Sequence, residues 1–576
     1  MGAVGPPRIL RVAGPLVELD RTAGTAMHDV VLLGDARIPA EVVAIAGDVV
    51  TVQAYEYTGG LAPGHTAHPQ GSPLSVPLGP WLLGGVYDGL LRPLQGAGDR
   101  LVTGSGSLVS DERTWPFTPC VTEGQQVDEG EVVGVTGGPG PVPVSVLIPP
   151  GCAGTVSRVA PEGRYPAEAV LAVVTDTEVR LAAPWPVRRA RPVRERLPAA
   201  QPLTTGQRAI DLLFPVARGS AVAVPGGFGT GKTVLLQQIA KWCDAHVIVY
   251  VGCGERGNEM ADVIAELSAL DDPRTGGRLA DRTVTIANTS NMPMMAREAS
   301  IHTGATVAEY FRDMGLDVVV IADSTSRWAE ALREFASRMG ALPTEEGYPA
   351  GLASELAAFY ERAGAVRTLG GRDGSVSVIG AVSPPGGDLT EPVTAHTQRF
   401  VRCVWTLDRE LAYARHYPAV SWSDSFSREV GALAVAHAQS GDPAWAERRG
   451  KVAALLSEAD RLADLVDLVG ITALPAQERV SVLGGRLVRE AVLQQSALSE
   501  LDAYCAPEKT AALVDAVLAV VGRCRDLIES GTAAEAVEEA DFTPLLRARE
   551  EVGPDDAAGV DTRRDEVLAS LRELVP

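Results

Sequence analysis

The stretch Ala221-Val222-Ala223-Val224-Pro225-Gly226-Gly227-Phe228-Gly229-Thr230-Gly231-Lys232-Thr233-Val234 decides the fold. An apolar, strand-like run leads into Gly226, Gly227, Phe228, Gly229, Thr230, Gly231, Lys232 and Thr233, which fit the pattern GxxxxGK[ST], and a helix is expected to open at Val234. Backbone N–H groups around such glycines converge on an anion at a helix N-terminus. Lys232 is placed to reach β- and γ-phosphates, and the Thr233 hydroxyl to ligate Mg²⁺. Only four lysines occur in the chain, so a Lys in this context is not a compositional accident.

Around this loop, residues 191–425 alternate apolar strands with helical periodicity, which predicts a mainly parallel sheet covered on both faces. Together with residues 76–110 they form the expected nucleotide-binding domain. Residues 1–75 carry short alternating runs at 9–12, 30–33, 41–45 and 49–54, predicting a small β-barrel. Residues 111–190 are strand-like and rich in Gly and Pro, a β-rich insertion. Residues 426–576 read as an all-helical domain, with amphipathic runs at 428–439, 445–469, 480–497 and 510–530. The fold class is therefore multidomain, built on an α/β core.

Composition narrows the function. With 46% hydrophobic and 22% charged residues, the 576-residue chain is an ordinary folded protein. Its net charge of -22 opposes a surface that tracks nucleic-acid phosphates, and no nucleic-acid partner is expected. No apolar run reaches the ~18 residues of a membrane span, and residues 1–17 lack a signal-peptide pattern. A cytoplasmic protein that meets membranes through partners is expected. Seven cysteines without CxxC spacing predict reduced thiols and no cysteine metal site.

Two further strand ends carry chemistry. The run 247–251 leads into Gly252-Cys253-Gly254-Glu255-Arg256-Gly257-Asn258-Glu259, which puts Glu255 at the carboxyl edge of the sheet. A carboxylate there can orient water for in-line attack on a γ-phosphate, and Arg256 can stabilise the transferring group. An ion pair or helix cap is the competing reading for both. The run 318–322 ends in Asp323, the Walker B arrangement for an acid in the Mg²⁺ sphere. Arg312, closing a helix just upstream, is either a phosphate contact or a cation at a helix C-terminus.

These strings, with Ala322-Asp323-Ser324-Thr325-Ser326-Arg327-Trp328-Ala329-Glu330 and Ser383-Pro384-Pro385-Gly386-Gly387-Asp388, closely resemble the catalytic A subunit of V/A-type rotary ATPases, over nearly the whole chain. The resemblance implies ATP and ADP as substrates with Mg²⁺, and an A3B3 ring with non-catalytic B subunits that supply an arginine finger in trans. It also implies central and peripheral stalks and a membrane sector carrying H⁺ or Na⁺. It assigns Lys232, Thr233, Glu255, Arg256, Arg312 and Asp323 to the phosphates, the water and the metal, and Tyr417 to adenine stacking.

Three positions depart from the family pattern. Leu498, in Gln494-Gln495-Ser496-Ala497-Leu498, stands where a second adenine-stacking Phe is usual; Glu355 stands where an Arg is expected; and Thr230 replaces the Cys of some homologues. A Rho-type nucleic-acid motor, a secretion-system export ATPase and an isolated regulatory protein are the alternatives. The insertion counts against the export ATPase, and the acidic balance against the motor.

Overall fold

The computed structural model describes residues 6–20, 24–95, 113–137, 140 and 142–574. Residues 96–112, expected in the nucleotide-binding domain and at the start of the insertion, and parts of the Gly/Pro-rich stretch 137–141 lie outside them. The chain divides into two compact units, one formed by Met1–Pro198, Ala245–Val382 and Ala395–Phe400, the other by Ala199–Asp244, Ser383–Thr394 and Val401–Pro576.

The first unit begins with six antiparallel strands: β1 (Ile9–Ala13), β2 (Leu16–Asp20), β3 (Asp29–Leu33), β4 (Ile38–Ala46), β5 (Val49–Ala54) and β6 (Ala67–Pro73). Their order is β1-β2-β5-β4-β3-β6, and the Arg8–Thr66 bridge with the Ile9 N–H to His65 carbonyl bond joins the two ends. A closed barrel results, which leaves no open edge. Val17, Leu19, Val31, Leu33, Val42 and Val52 alternate inward and fill it, each almost fully buried.

The insertion forms two four-stranded antiparallel sheets from strands between Thr114 and Arg180. After it the chain returns, and Ala183–Pro186 pairs with Ser75–Leu78. Arg188 then reaches Glu298 with two bonds of 2.7 and 2.5 Å, linking the returning chain to the core.

That core is a parallel sheet of β7 (Val247–Glu255), β8 (Thr283–Thr289), β9 (Asp317–Asp323) and β10 (Asp373–Val382), in the order β10-β9-β7-β8, with the short strand Val86–Tyr87 beside β8. Its strands are continuous apolar runs because helices α1 (Gly257–Ala269), α2 (Met294–Arg312) and α3 (Thr325–Arg338) connect and cover them. α2 is buried along almost its entire length.

In the second unit, the strand Ala221–Pro225 runs parallel to Cys403–Val404, and Phe426–Ser427 pairs antiparallel with the latter. The helical part contains α4 (Trp445–Val469), α5 (Ala476–Leu487), α6 (Pro507–Glu529) and α7 (Ala557–Arg572). The helix expected over 480–497 lies four residues earlier, from Ala476 to Leu493. It ends in a π turn closed by the Gln494 N–H on the Arg489 carbonyl, because the Gln494 carbonyl and the Gln495 N–H bond to Arg208 and Tyr417 instead.

Candidate active site

In the second unit, Ala221–Pro225 ends at the phosphate loop, and the helix Lys232–Trp242 leaves it. Gly231, at the junction, has φ 85°, a left-handed conformation that glycine adopts without steric cost. A Cβ there would also lie 3.3 Å from the Tyr417 ring, so the tyrosine lies directly against the loop. Lys232 folds back and donates to the carbonyls of Gly226 and, at 3.0 Å, Gly227. The Thr230 hydroxyl donates to the Gly227 carbonyl at 2.9 Å, and Phe228 projects into solvent. The first-turn N–H groups of the helix, with the positive end of its dipole, are thereby presented at the loop.

Beside the loop lies a cleft of ≈ 310 Å³, lined by Thr230, Gly231, Val234, Tyr417, Pro418 and Leu498 among others. Its walls suit a flat, largely apolar ring next to an anion site. Tyr417 is fixed from behind, since the Gln495 N–H donates to its carbonyl at 2.7 Å and the Arg208 N–H donates to the Gln495 side chain at 2.8 Å. Arg208 in turn pairs with Asp502 at 2.7 Å, both side chains fully buried. Leu498, on the same cleft, is 98% exposed and brings no aromatic face to it.

In the first unit, β7 and β9 are neighbours in parallel register, with Gly252 opposite Asp323. Both strands end at the same sheet edge, which carries Glu255 and Asp323. Gly254 has φ 73°, and a Cβ there would lie 2.8 Å from Cβ of Arg327 and 3.0 Å from Cδ of Arg297. The backbone before Glu255 therefore passes tightly against Arg327. Burial pushes the Glu255 carboxyl up to about 7, Asp323 adds to the rise by charge repulsion, and Arg327 opposes it. A carboxyl with that value divides between acid and base forms near neutral pH, as a general base requires. Asp323 accepts a hydrogen bond from the Tyr250 hydroxyl at 3.1 Å.

Arg256 caps α1 in extended conformation, with its side chain 69% exposed and 3.8 Å from Glu259. Of the two readings of Arg312, the geometry displays the cation at a helix C-terminus. It lies at the C-terminal end of α2, before the amino end of β9 and hence at the sheet edge opposite Asp323. It is buried, pairs with Asp313 at 2.6 Å and donates to the Arg191 carbonyl. The guanidinium holds the helix end together. The exposed Glu355 lies on the helix Leu352–Tyr360.

Sequence patterns alone assign no role to Arg327 or Tyr250. The signal for Tyr250 lies in the two-residue period of strands, which puts it on the face of Asp323. Nothing in spacing marks Arg327, since its approach to Glu255 depends on the turn at Gly254.

The oxygen donors fit Mg²⁺, which keeps waters and substrate phosphates and needs only one or two protein ligands. Thr233 in the second unit offers a hydroxyl, and Asp323 in the first a carboxylate. Among the described residues no group of three or more His, Cys, Asp or Glu could hold a metal by itself. None of the seven cysteines is disulfide-bonded, and burial pushes Cys253 up to about 12. No helix of the described residues is long and apolar enough to cross a membrane.

Comparison with known proteins identifies the family. Residues 206–427 match the nucleotide-binding domain of the ATP synthase alpha/beta family, 107–188 its barrel-sandwich domain, and 9–71 its beta-barrel domain. Residues 436–534 match the C-terminal domain of V and A type ATP synthase. The A subunit of the A-type ATP synthase from Thermococcus sibiricus is 47% identical over 558 residues, covering 95% of this chain and 94% of that protein. Its counterparts from Methanopyrus kandleri and Haloferax volcanii are each 45% identical, over 98% of this chain and 98% and 97% of theirs. The ATPase EscN of the enteropathogenic E. coli type III secretion system shares the fold, with TM-score 0.63 over 89% of this chain and all of its own, at 22% identity. With a phosphate loop, two strand-end acids and near full-length identity of this order, the chain belongs to the family of A subunits of the A-type ATP synthases.

Proposed function

We propose that this chain is the catalytic subunit of a rotary ATPase, synthesising or hydrolysing ATP by in-line reaction at the γ-phosphate, coupled to H⁺ or Na⁺ transport. The observation that carries the reading is Glu255, a carboxyl with a raised pKa at the strand end next to Asp323. A non-catalytic paralogue has no use for it.

In the hydrolytic direction, Lys232 holds the β- and γ-phosphates against the loop N–H groups, and Tyr417 and Leu498 flank the adenine. Ionised Glu255 accepts a hydrogen bond from a water and orients its oxygen toward phosphorus, taking up the proton as attack proceeds. Arg256 and Arg327 offset charge on the transferring group. Thr233 and Asp323 are the residues that would hold Mg²⁺, which, when bound, neutralises charge on the phosphate oxygens.

Partners follow from the same reading. Non-catalytic B-type subunits alternate with this chain in an A3B3 ring and contribute an arginine finger, worth ~10³ to 10⁵ in rate in related phosphoryl-transfer enzymes. Stalk subunits join the ring to a membrane sector, so the chain sits at the membrane periphery on the cytoplasmic side. The net charge of -22 and the V/A-type C-terminal domain weigh against a nucleic-acid motor.

The test is Mg²⁺-dependent ATP hydrolysis by the chain co-assembled with a B-type partner, against the same assembly carrying Lys232→Ala. Activity that requires both the partner and Lys232 supports the reading. Activity in the chain alone that survives Lys232→Ala overturns it.

A further inference from the structure

We propose that Tyr250 is a positioning residue that sets the orientation of the Asp323 carboxylate for the metal-bound nucleotide. The inference rests on the reading of Asp323 as the Mg²⁺ acid.

Strand geometry puts the two together. Tyr250 is opposite Ile321, and Gly252 is opposite Asp323. Side chains alternate along a strand, so Tyr250, Gly252, Ile321 and Asp323 share one face of the sheet. Tyr250 and Asp323 are thus a diagonal cross-strand pair, a separation that an aromatic side chain spans. Gly252 leaves the position directly opposite Asp323 without a side chain of its own. A Cβ there would lie 2.0 Å from the Met260 sulfur, so any larger residue would have to displace that methionine.

The hydroxyl ends 3.1 Å from Oδ2 of Asp323, and both residues are buried. Tyr250 donates, which ties one oxygen of the carboxylate to β7 and holds the plane of the group. A carboxylate that turns freely spends only part of its time in one orientation, so fixing it strengthens metal binding without any direct contact between Tyr250 and the nucleotide. A purely structural tyrosine would instead act through the apolar packing of its ring, which phenylalanine keeps.

The experiment compares ADP binding to the full chain with and without Mg²⁺, by titration calorimetry, for wild type, Tyr250→Phe, Asp323→Asn and the double variant. Thermal midpoints confirm that each variant is folded. Tyr250→Phe is expected to leave metal-free ADP binding unchanged and to cut the Mg²⁺ enhancement roughly tenfold, the size of one hydrogen bond to a charged group. In the Asp323→Asn background the Phe substitution should change nothing further. An unchanged Mg²⁺ enhancement in Tyr250→Phe, or equal losses with and without metal, overturns the proposal. If Asp323→Asn itself leaves the enhancement intact, the assignment of Asp323 fails, and the role of Tyr250 fails with it.

Discussion

Glu255 and Asp323 stand at the carboxyl ends of adjacent parallel strands, with Asp323 opposite Gly252, three residues before Glu255. The charge of Asp323 adds to burial in raising the Glu255 carboxyl to about 7. That value suits Glu255 to exchanging a proton near neutrality.

The first expectation is a pH profile. A base acts only when ionised, so hydrolysis by the assembled enzyme should rise with pH through about 7 as Glu255 loses its proton. The measurement is kcat/KM for ATP between about pH 5.5 and about pH 8.5. A profile that is already flat at the acid end of that range would mean that Glu255 is unshifted.

Arg327 opposes the rise at Glu255, and its removal should enlarge it. Arg327→Gln is expected to move the rising limb to higher pH. Arg327 is partly exposed, so the displacement should shrink in high salt. A limb that stays in place, or moves down, contradicts the coupling.

Restoring an aromatic face at the cleft should tighten nucleotide binding. Leu498 is exposed and lines the same cleft as Tyr417. An aromatic contact contributes about 0.5–1.5 kcal/mol, so Leu498→Phe should lower the ADP Kd roughly twofold to tenfold. The change should be much smaller for inorganic triphosphate, which has no base.

Arg312 provides the contrast. Its pairing with Asp313 is almost fully buried, and since Arg191 still holds the other oxygen of Asp313 at 2.6 Å, removing Arg312 forfeits hydrogen bonds to a charged group at a cost of about 1.5–3 kcal/mol. Arg312→Gln should lower the denaturation midpoint while any variant that still folds keeps its nucleotide affinity. A stable protein with impaired phosphate binding would restore the phosphate role to Arg312.

The architecture is legible in sequence where chemistry is local. Glycine and lysine spacing locates the phosphate loop, and uninterrupted apolar runs ending in Glu255 and Asp323 locate the sheet edge. The role of Arg312 is not legible, because a helix-terminal arginine has the same local sequence whether it meets a phosphate or an aspartate. Its fate depends on Arg191, more than a hundred residues away and brought near only by folding. The π turn at 488–493 escapes sequence patterns for a related reason. The helical period continues through Ala497, but the Gln495 N–H donates to the Tyr417 carbonyl and the Arg208 guanidinium donates to the Val492 and Gln494 carbonyls, which takes those backbone groups away from a helix and ends it at Leu493.

The central claim is that Glu255 activates the attacking water. Its most direct test is a single-turnover measurement on the assembled enzyme carrying Glu255→Gln, which keeps the shape of the side chain and removes its basicity. Mg²⁺-ATP should bind with near wild-type affinity while cleavage of the bound nucleotide slows by about 10² to 10⁴. Cleavage of the bound ATP at close to the wild-type rate would contradict the account.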